Sequence, residues 1–415
     1  MRIFKFGGAS IKNAEGVKNL VIALKHEEAK KTVVVVSAMG KMTNAFEDLL
    51  YELLNDKTRL EEKLEFIVDF HLQIMQELFE ENHFVFNEIQ LLLNELKNLL
   101  NHTSSSNYNF VYDQIVCFGE LLSTKIIAAY LQEQGLENNW LDIRSIIKTD
   151  TNYREAKVDW IGTQENCNAK MNSTSLIITQ GFISSDHLGN TTTLGREGSD
   201  YTAGILAYCL DAKSVTIWKD VEGVLNADPR AFDNTILLRQ ISYREAIEMA
   251  FYGASVIHPK TLKPLENKRI PLYVRSFLNL ESTGTKVSKG INIDPVTPCF
   301  VVKKSQILVS ISALDFSFMV EENISHIFKL FHEYQLKVNL TQNSAISFSV
   351  CLEDNFNKFE EFYKELLPNF KIKYNNNVTL YTIRHFDKKS MNKIEERGTI
   401  LLKQISRETV QLVIK

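Results

Sequence analysis

Four stretches of this sequence bring together residue types that could handle anions or a charged small molecule. The first is K-F-G-G-A-S at 5–10. Its two glycines, Gly7 and Gly8, would let backbone N–H groups approach anionic oxygens with no Cβ in the way, and Lys5 would add a positive charge. A solvated lysine beside an ordinary turn would read the same way. The second is T-T-T-L-G-R-E-G-S-D at 191–200, where hydroxyls, glycines, Arg196, Ser199 and Asp200 lead into a helical pattern. Such a junction suits phosphates, because helix N-termini bind anions, and a carboxylate, which Arg grips with two bonds. Asp200 as a plain helix cap fits the same position, although a cap has no need of Arg196 and two glycines before it. The third, W-K-D-V-E-G-V-L-N-A-D-P-R at 218–230, holds Lys219, Asp220 and Arg230 around an Asp-Pro turn and is by itself only loop chemistry. The fourth is F-G-E-L-L-S-T at 118–124. Glu120 interrupts an apolar helix pattern there, so it lies either on an exposed face or buried against a cation such as a substrate amine. Neither G-x-x-x-x-G-K-[ST] nor G-x-G-x-x-G occurs, which leaves no ground for a P-loop or a dinucleotide fold.

The elements that must position these residues follow from hydrophobic periodicity. Residues 2–6 and 32–37 are short β-branched or aromatic runs with a helical pattern over 13–30 between them, a β-α-β unit. From 43 to 100 apolar residues recur every three or four positions, which predicts a helical insertion or lid. The polar stretch 101–109 reads as a joint, followed by a helix around 108–134 and a strand at 140–143. A strand at 175–182, a helix from about 199 to 210 and a strand at 215–218 resume the alternation, which predicts a largely parallel sheet covered on both faces. Helices near 242–252 and 259–267 and a strand at 270–275 close this domain, expected at 1–290. The remainder, 300–415, reads β-α-β-β-α-β, with strands at 305–313, 336–341 and 344–352 and a last one at either 370–374 or 377–386. That is a ferredoxin-like α+β pattern, typical of small ligand-sensing modules.

Composition narrows the function classes. Over 415 residues, hydrophobic residues make up 44% and charged residues 24%, ordinary globular values. With 47 Lys+Arg against 51 Asp+Glu the net charge is −4, so no basic field favours nucleic acid as a partner. The five cysteines are scattered and never fall in a zinc-ligand spacing, which suits buried thiols in a reducing compartment and predicts no protein-held metal. The stretch before Gly7-Gly8 is too short for the apolar core of a signal peptide, and no apolar run approaches the ~20 residues of a membrane span. The expectation is a cytoplasmic protein with no membrane partner.

Taken together and in this order, KFGGAS, VSAMGKMTN (36–44), FGELLST, TQGF with NTTTLGREGSD, DVEGVLNADPR and YGASVIHPKT (252–261) resemble the aspartate kinases of the amino-acid-kinase superfamily. The resemblance implies an αβα sandwich followed by ACT-type regulatory modules, the second abridged. It also implies transfer of the γ-phosphate of MgATP to the β-carboxylate of L-aspartate, the step committing aspartate to lysine, threonine, methionine and diaminopimelate synthesis. By resemblance Lys5 bridges phosphates beside Gly7 and Gly8, and Asp200 organises the phosphate end. Glu120 holds the substrate's amino group, Arg196 its α-carboxylate, and Ser37, Thr43, Phe182 and Ser199 line the substrate. Lys219, Asp220 and Arg230 fall on the nucleotide side. Val338, Asn339 and Ser344 fall in a possible effector loop for lysine or threonine, and pairing of two chains through the ACT-like region is implied. The chain departs from the family with Ala9 for Thr, Glu197 for Gly, Leu225 for Tyr, Lys219 for Thr and Ser255 for a nucleotide-contacting Lys, which makes Lys219 the natural replacement cation. Asn339 stands where lysine-sensing relatives carry Asp. A catalytically silent amino-acid sensor and a kinase for another small carboxylate are the alternatives.

Overall fold

The computed structural model describes residues 1–415 except 104, 172–174, 255–256 and 316. The described residues divide into two compact units, the first comprising 1–224, 237–247 and 257–293 and the second 225–236, 248–256 and 294–415.

The first unit contains β1 (Arg2–Phe6), α1 (Ala14–His26), β2 (Thr32–Val36), α2 (Met42–Leu54), α3 (Leu60–Leu78), α4 (Val85–His102), α5 (Tyr108–Val116) and α6 (Phe118–Glu133). It continues through β3 (Asn138–Leu141), α7 (Trp160–Lys170), β4 (Leu176–Gln180), β5 (Ile183–Ser185), β6 (Thr191–Thr193), α8 (Gly198–Cys209), β7 (Val215–Lys219) and β8 (Gln240–Ser242). Last come α9 (Tyr243–Tyr252, whose first half belongs here), α10 (Pro259–Lys268), β9 (Leu272–Ser276) and β10 (Thr285–Ser288). Eight of these strands form one sheet in the order β3-β4-β2-β1-β7-β9-β10-β8, parallel throughout except where β9 meets β10. Every residue of β2 and β4 is buried, so both faces of the sheet are covered, which is why these strands read as unbroken apolar runs. The sequence pattern misses α7, whose apolar face is narrow, and the strands β8 and β10, each too short to show alternation.

The insertion is three helices, α2, α3 and α4: α2 packs on α3 and α5, and all three pack on α6. Together α5 and α6 are long and apolar enough to resemble a membrane span, contrary to the sequence reading, but 89% of that window is buried inside the protein. On α3, His71 is fully buried, with Nδ1 2.7 Å from the Ile67 carbonyl and Nε2 without a hydrogen-bond partner among the described residues. Burial pushes its pKa down to about 4. The imidazole is neutral in the fold but takes up a proton near pH 6.5 once unfolded, so stability is held above pH 6.5 and lost as pH falls from there toward 4. Urea unfolding at pH 7 and pH 5 is expected to differ by about 2 kcal/mol through this residue. His71→Leu should remove that difference; an unchanged pH dependence would reject it.

The second unit is built on one six-stranded antiparallel sheet of β11 (Cys299–Ala313), β12 (Lys337–Asn343), β13 (Ser347–Glu353), β14 (Phe370–Arg384), β15 (Ile400–Ile405) and β16 (Thr409–Ile414), ordered β12-β13-β11-β14-β16-β15. Three helices accompany it: α11 (Glu321–Glu333), α12 (Phe359–Leu366) and α13 (Lys388–Glu395). Val309, Ile311, Phe348 and Val350 pack under Phe331 of α11 and Phe362 of α12, whereas Leu308, Cys351, Val378, Leu380 and Val413 form a cluster on the other face. The two alternatives for the last strand resolve into one, since β14 runs unbroken through 375–377. Ser305 and Asn377, both left-handed, sit at facing bulges where the β11–β14 register shifts, so the polar asparagine run bends the strand without ending it. β11 likewise starts earlier than read, at Cys299, because its first half pairs with the end of β14.

Candidate active site

The site is assembled at the carboxyl ends of the central parallel strands, where open α/β sheets place their ligands. Lys5 is the penultimate residue of β1, and Gly7-Gly8 follow at once, turning into a short 3-10 segment. A Cβ on Gly8 would stand 2.6 Å from the Ala38 carbonyl and 2.7 Å from that of Gly40, so only glycine lets this turn pack against the loop after β2. That loop is fixed from the other side by α6: Ser123 Oγ donates to the Ser37 carbonyl at 2.8 Å, and the Ala38 N–H donates to Glu120 Oε1 at 3.2 Å. The end of β4 meets the start of α8 equally closely, since a Cβ on Gly181 would lie 2.6 Å from Ser199 Oγ. Just before α8, Glu197 takes a φ of +56°, the conformation a glycine adopts at little cost.

These turns enclose a cavity of about 960 Å³. Its wall includes Lys5, Gly8, Ser37, Thr43, Glu120, Phe182, Arg196, Ser199 and Asp200. Lys5 Nζ and Asp200 Oδ1 are 2.5 Å apart with both side chains nearly inaccessible, and the ammonium folds over Gly7, where a Cβ would be 3.2 Å away. A buried pair of this kind adds little net stability, because desolvation offsets most of the attraction. Glu120 is buried, and among the described residues its Oε2 has no hydrogen-bond partner. Burial pushes its pKa up to about 8, against the lowering effect of the Ala38 N–H and the Lys5 charge. A carboxylate so placed is completed by a cation.

The remaining nucleotide-side residues lie outside this cavity. Gly7 is part of the β1 turn; Lys219 ends β7, beside β1, and Asp220 follows it, exposed. Arg230 belongs to the second unit, is highly exposed and pairs with Asp228 at 2.7 Å. Ser255 lies outside the described residues. In the second unit Val338 and Asn339 are half-buried on β12 and Ser344 is exposed in the β12–β13 turn. The Asn339 side chain is engaged at both ends, accepting from Lys303 Nζ at 2.7 Å and donating to Gln306 Oε1 at 2.6 Å.

Sequence reasoning misses part of the wall: Asn109 and Tyr112 of α5, and Asn152, Tyr153, Arg154 and Glu155 of the turn after β3. No motif marks them. The one signal in the sequence is that Asp113, inside an apolar run, needs partners; it accepts from the Thr193 N–H at 2.9 Å, Thr193 Oγ1 at 2.7 Å and the Arg154 N–H at 3.0 Å. Burial nevertheless pushes its pKa up to about 6.

A mostly parallel sheet with a polar, cation-bearing cavity at its carboxyl edge is a ligand site of the open α/β kind, and residues 1–276 match the model of the amino acid kinase family, which makes the class that of small-molecule kinases. The chain is 31% identical over 356 residues to lysine-sensitive aspartokinase 3 of Escherichia coli, covering 85% of this chain and 78% of that one. It is similar to the crystal structure of E. coli aspartokinase III in complex with lysine and aspartate (T-state), with a TM-score of 0.85 at 27% identity, covering 100% of this chain and 96% of that one. It also resembles the same enzyme in complex with aspartate and ADP (R-state), with a TM-score of 0.80 at 26% identity and the same coverage. The chain belongs to the aspartokinase branch of the amino acid kinase family and is accordingly an ATP-dependent kinase.

Proposed function

We propose that the protein transfers the γ-phosphoryl group of MgATP to the β-carboxylate of L-aspartate, releasing ADP and 4-phospho-L-aspartate. The observation that carries this reading is the buried, half-partnered carboxylate of Glu120 in one cavity with the Lys5–Asp200 pair and Arg196. An α-amino acid satisfies that arrangement: its ammonium completes Glu120 and its α-carboxylate faces Arg196, with Ser37, Thr43, Phe182 and Ser199 closing the walls. A substrate lacking the amine leaves the buried Glu120 carboxylate without a cation, which is a strong basis for rejection, and one lacking the α-carboxylate forgoes the two-bond grip of Arg196.

The β-carboxylate is already a nucleophile, so the site needs no strong general base. It needs alignment with the γ-phosphorus and neutralisation of the charge that spreads over the phosphoryl oxygens. Lys5, steered by Asp200, supplies the charge, and the Gly7 and Gly8 N–H groups are free of side-chain obstruction. Mg²⁺ would be held by the nucleotide phosphates, and Lys219 and Asp220 at the end of β7 would lie on the nucleotide side. Trapping with hydroxylamine tests the reaction: with MgATP and aspartate the enzyme should form the aspartyl hydroxamate, and none without aspartate. Turnover of another carboxylate but not aspartate, or of none, would replace this reading with one of its rivals.

Lysine or threonine is the proposed effector of the 336–348 loop. Asn339 carries no charge to hold an ammonium and is tied to Lys303 and Gln306, which supports a weak response. The exposed Phe318, Val320 and Phe328 of this unit support association of two chains through it.

A further inference from the structure

Arg154 is unusual in both backbone and side chain. Its φ of +70° puts it in the left-handed region, which a glycine would occupy without strain. The turn is nonetheless firmly held. The Arg154 N–H donates to Asp113, whose other bonds reach Thr193, and the Arg154 carbonyl packs on Gly195, where a Cβ would come within 3.1 Å. Because Gly195 precedes Arg196, the two arginines enter the cavity wall from touching stretches of backbone.

The guanidinium lies over the ring of Tyr112 at 4.3 Å and that of Tyr108 at 5.5 Å. Tyr112 is itself fixed, its hydroxyl donating to Glu47 at 2.8 Å. Among the described residues no carboxylate forms an ion pair with Arg154. Stacking uses the faces of a guanidinium and leaves its in-plane N–H fork for a carboxylate.

We propose that Arg154 is a second carboxylate-binding arginine of the amino-acid subsite, sharing the substrate's α-carboxylate with Arg196 while Tyr108 and Tyr112 hold its plane. The inference rests on the aspartate reading above. It gives the cavity two forks for one carboxylate and accounts for a strained arginine where glycine would be easier.

Arg154→Gly tests it, since glycine accepts the backbone conformation and the fold should keep its thermal stability. The variant should raise the KM for aspartate about tenfold, the loss of one charge-assisted contact, with kcat and the KM for ATP within about twofold of wild type. Arg154→Lys, charged but without the fork, should fall between. Two competitors of aspartate separate binding from a structural effect. Succinate keeps both carboxylates and lacks the amine, so its inhibition constant should rise like the KM. 3-Aminopropanoate keeps the amine and the reacting carboxylate but lacks the α-carboxylate, and its inhibition constant should not move. An unchanged KM for aspartate, or equal weakening of both competitors, overturns the inference. A wild-type enzyme that phosphorylates no aspartate would instead remove the reading of the site itself.

Discussion

Lys5→Ala is expected to lower kcat by about 10²–10³-fold while the KM for aspartate changes by less than about threefold. Charge on the transferring phosphoryl group develops toward the transition state, and the Lys5 ammonium, buried beside Asp200 at the end of β1, would meet that charge in a water-poor cavity. Removing it strands Asp200 as an unpaired buried charge, so the variant should also unfold at lower temperature. The double variant Lys5→Ala/Asp200→Asn separates the two effects, restoring stability without restoring kcat. Retained turnover in either variant would take Lys5 out of the chemistry.

Glu120→Gln is expected to raise the KM for aspartate about a hundredfold, leaving that for ATP unchanged, because a neutral amide cannot pair with a buried ammonium. The pH profile gives a sharper test. With the Glu120 pKa at about 8 in the free enzyme, kcat/KM for aspartate should climb as pH rises toward 8 and level off above it, and Glu120→Gln should flatten that limb. Stability should move oppositely. A folded-state pKa above the ordinary carboxylate value means the fold favours the protonated form, so stability is full at low pH and falls as pH rises through about 8. Glu120→Gln should therefore unfold at a higher temperature than wild type at pH 8. A variant both less stable and unaltered in its pH profile would place Glu120 in the scaffold only.

Much of this architecture is legible in sequence because burial on both faces turns β2, β4 and β7 into unmistakable β-branched runs, each followed by glycine or a polar turn. Lys5, Gly8 and Phe182 lie at one edge because parallel strands deliver the residues at their carboxyl ends there, whereas Arg196, Ser199 and Asp200 follow the separate β5–β6 pair, and it is the family resemblance that assigns Phe182 to the site. Glu120 stood out as a carboxylate in an apolar helix. Arg154, Tyr112 and Asn109 stayed hidden because what recruits them is tertiary: the stack on α5 and the Arg154 bond to Asp113 join segments about 40 residues apart in the chain, and the two Thr193 bonds to Asp113 span 80. In the second unit, short-range patterning placed the helices but not the continuity of β14, which depends on its pairing with both β11 and β16.

That continuity has a consequence for how the second unit could be taken apart. β11 and β14 are each 15 residues long, and their two ends serve different neighbours: Phe370–Arg384 meets β16 only over 379–384, while β11 meets β13 only over 307–312. The halves of the sheet thus share their two central strands, and neither can be excised as a cassette. Cutting the chain after 386 would strip β15 and β16 away and lay bare the outer edge of β14, with Leu380 and Ile383 uncovered on its two faces. An apolar strand edge of that kind recruits other chains, so the short tail protects the module before it from aggregation as much as it extends it.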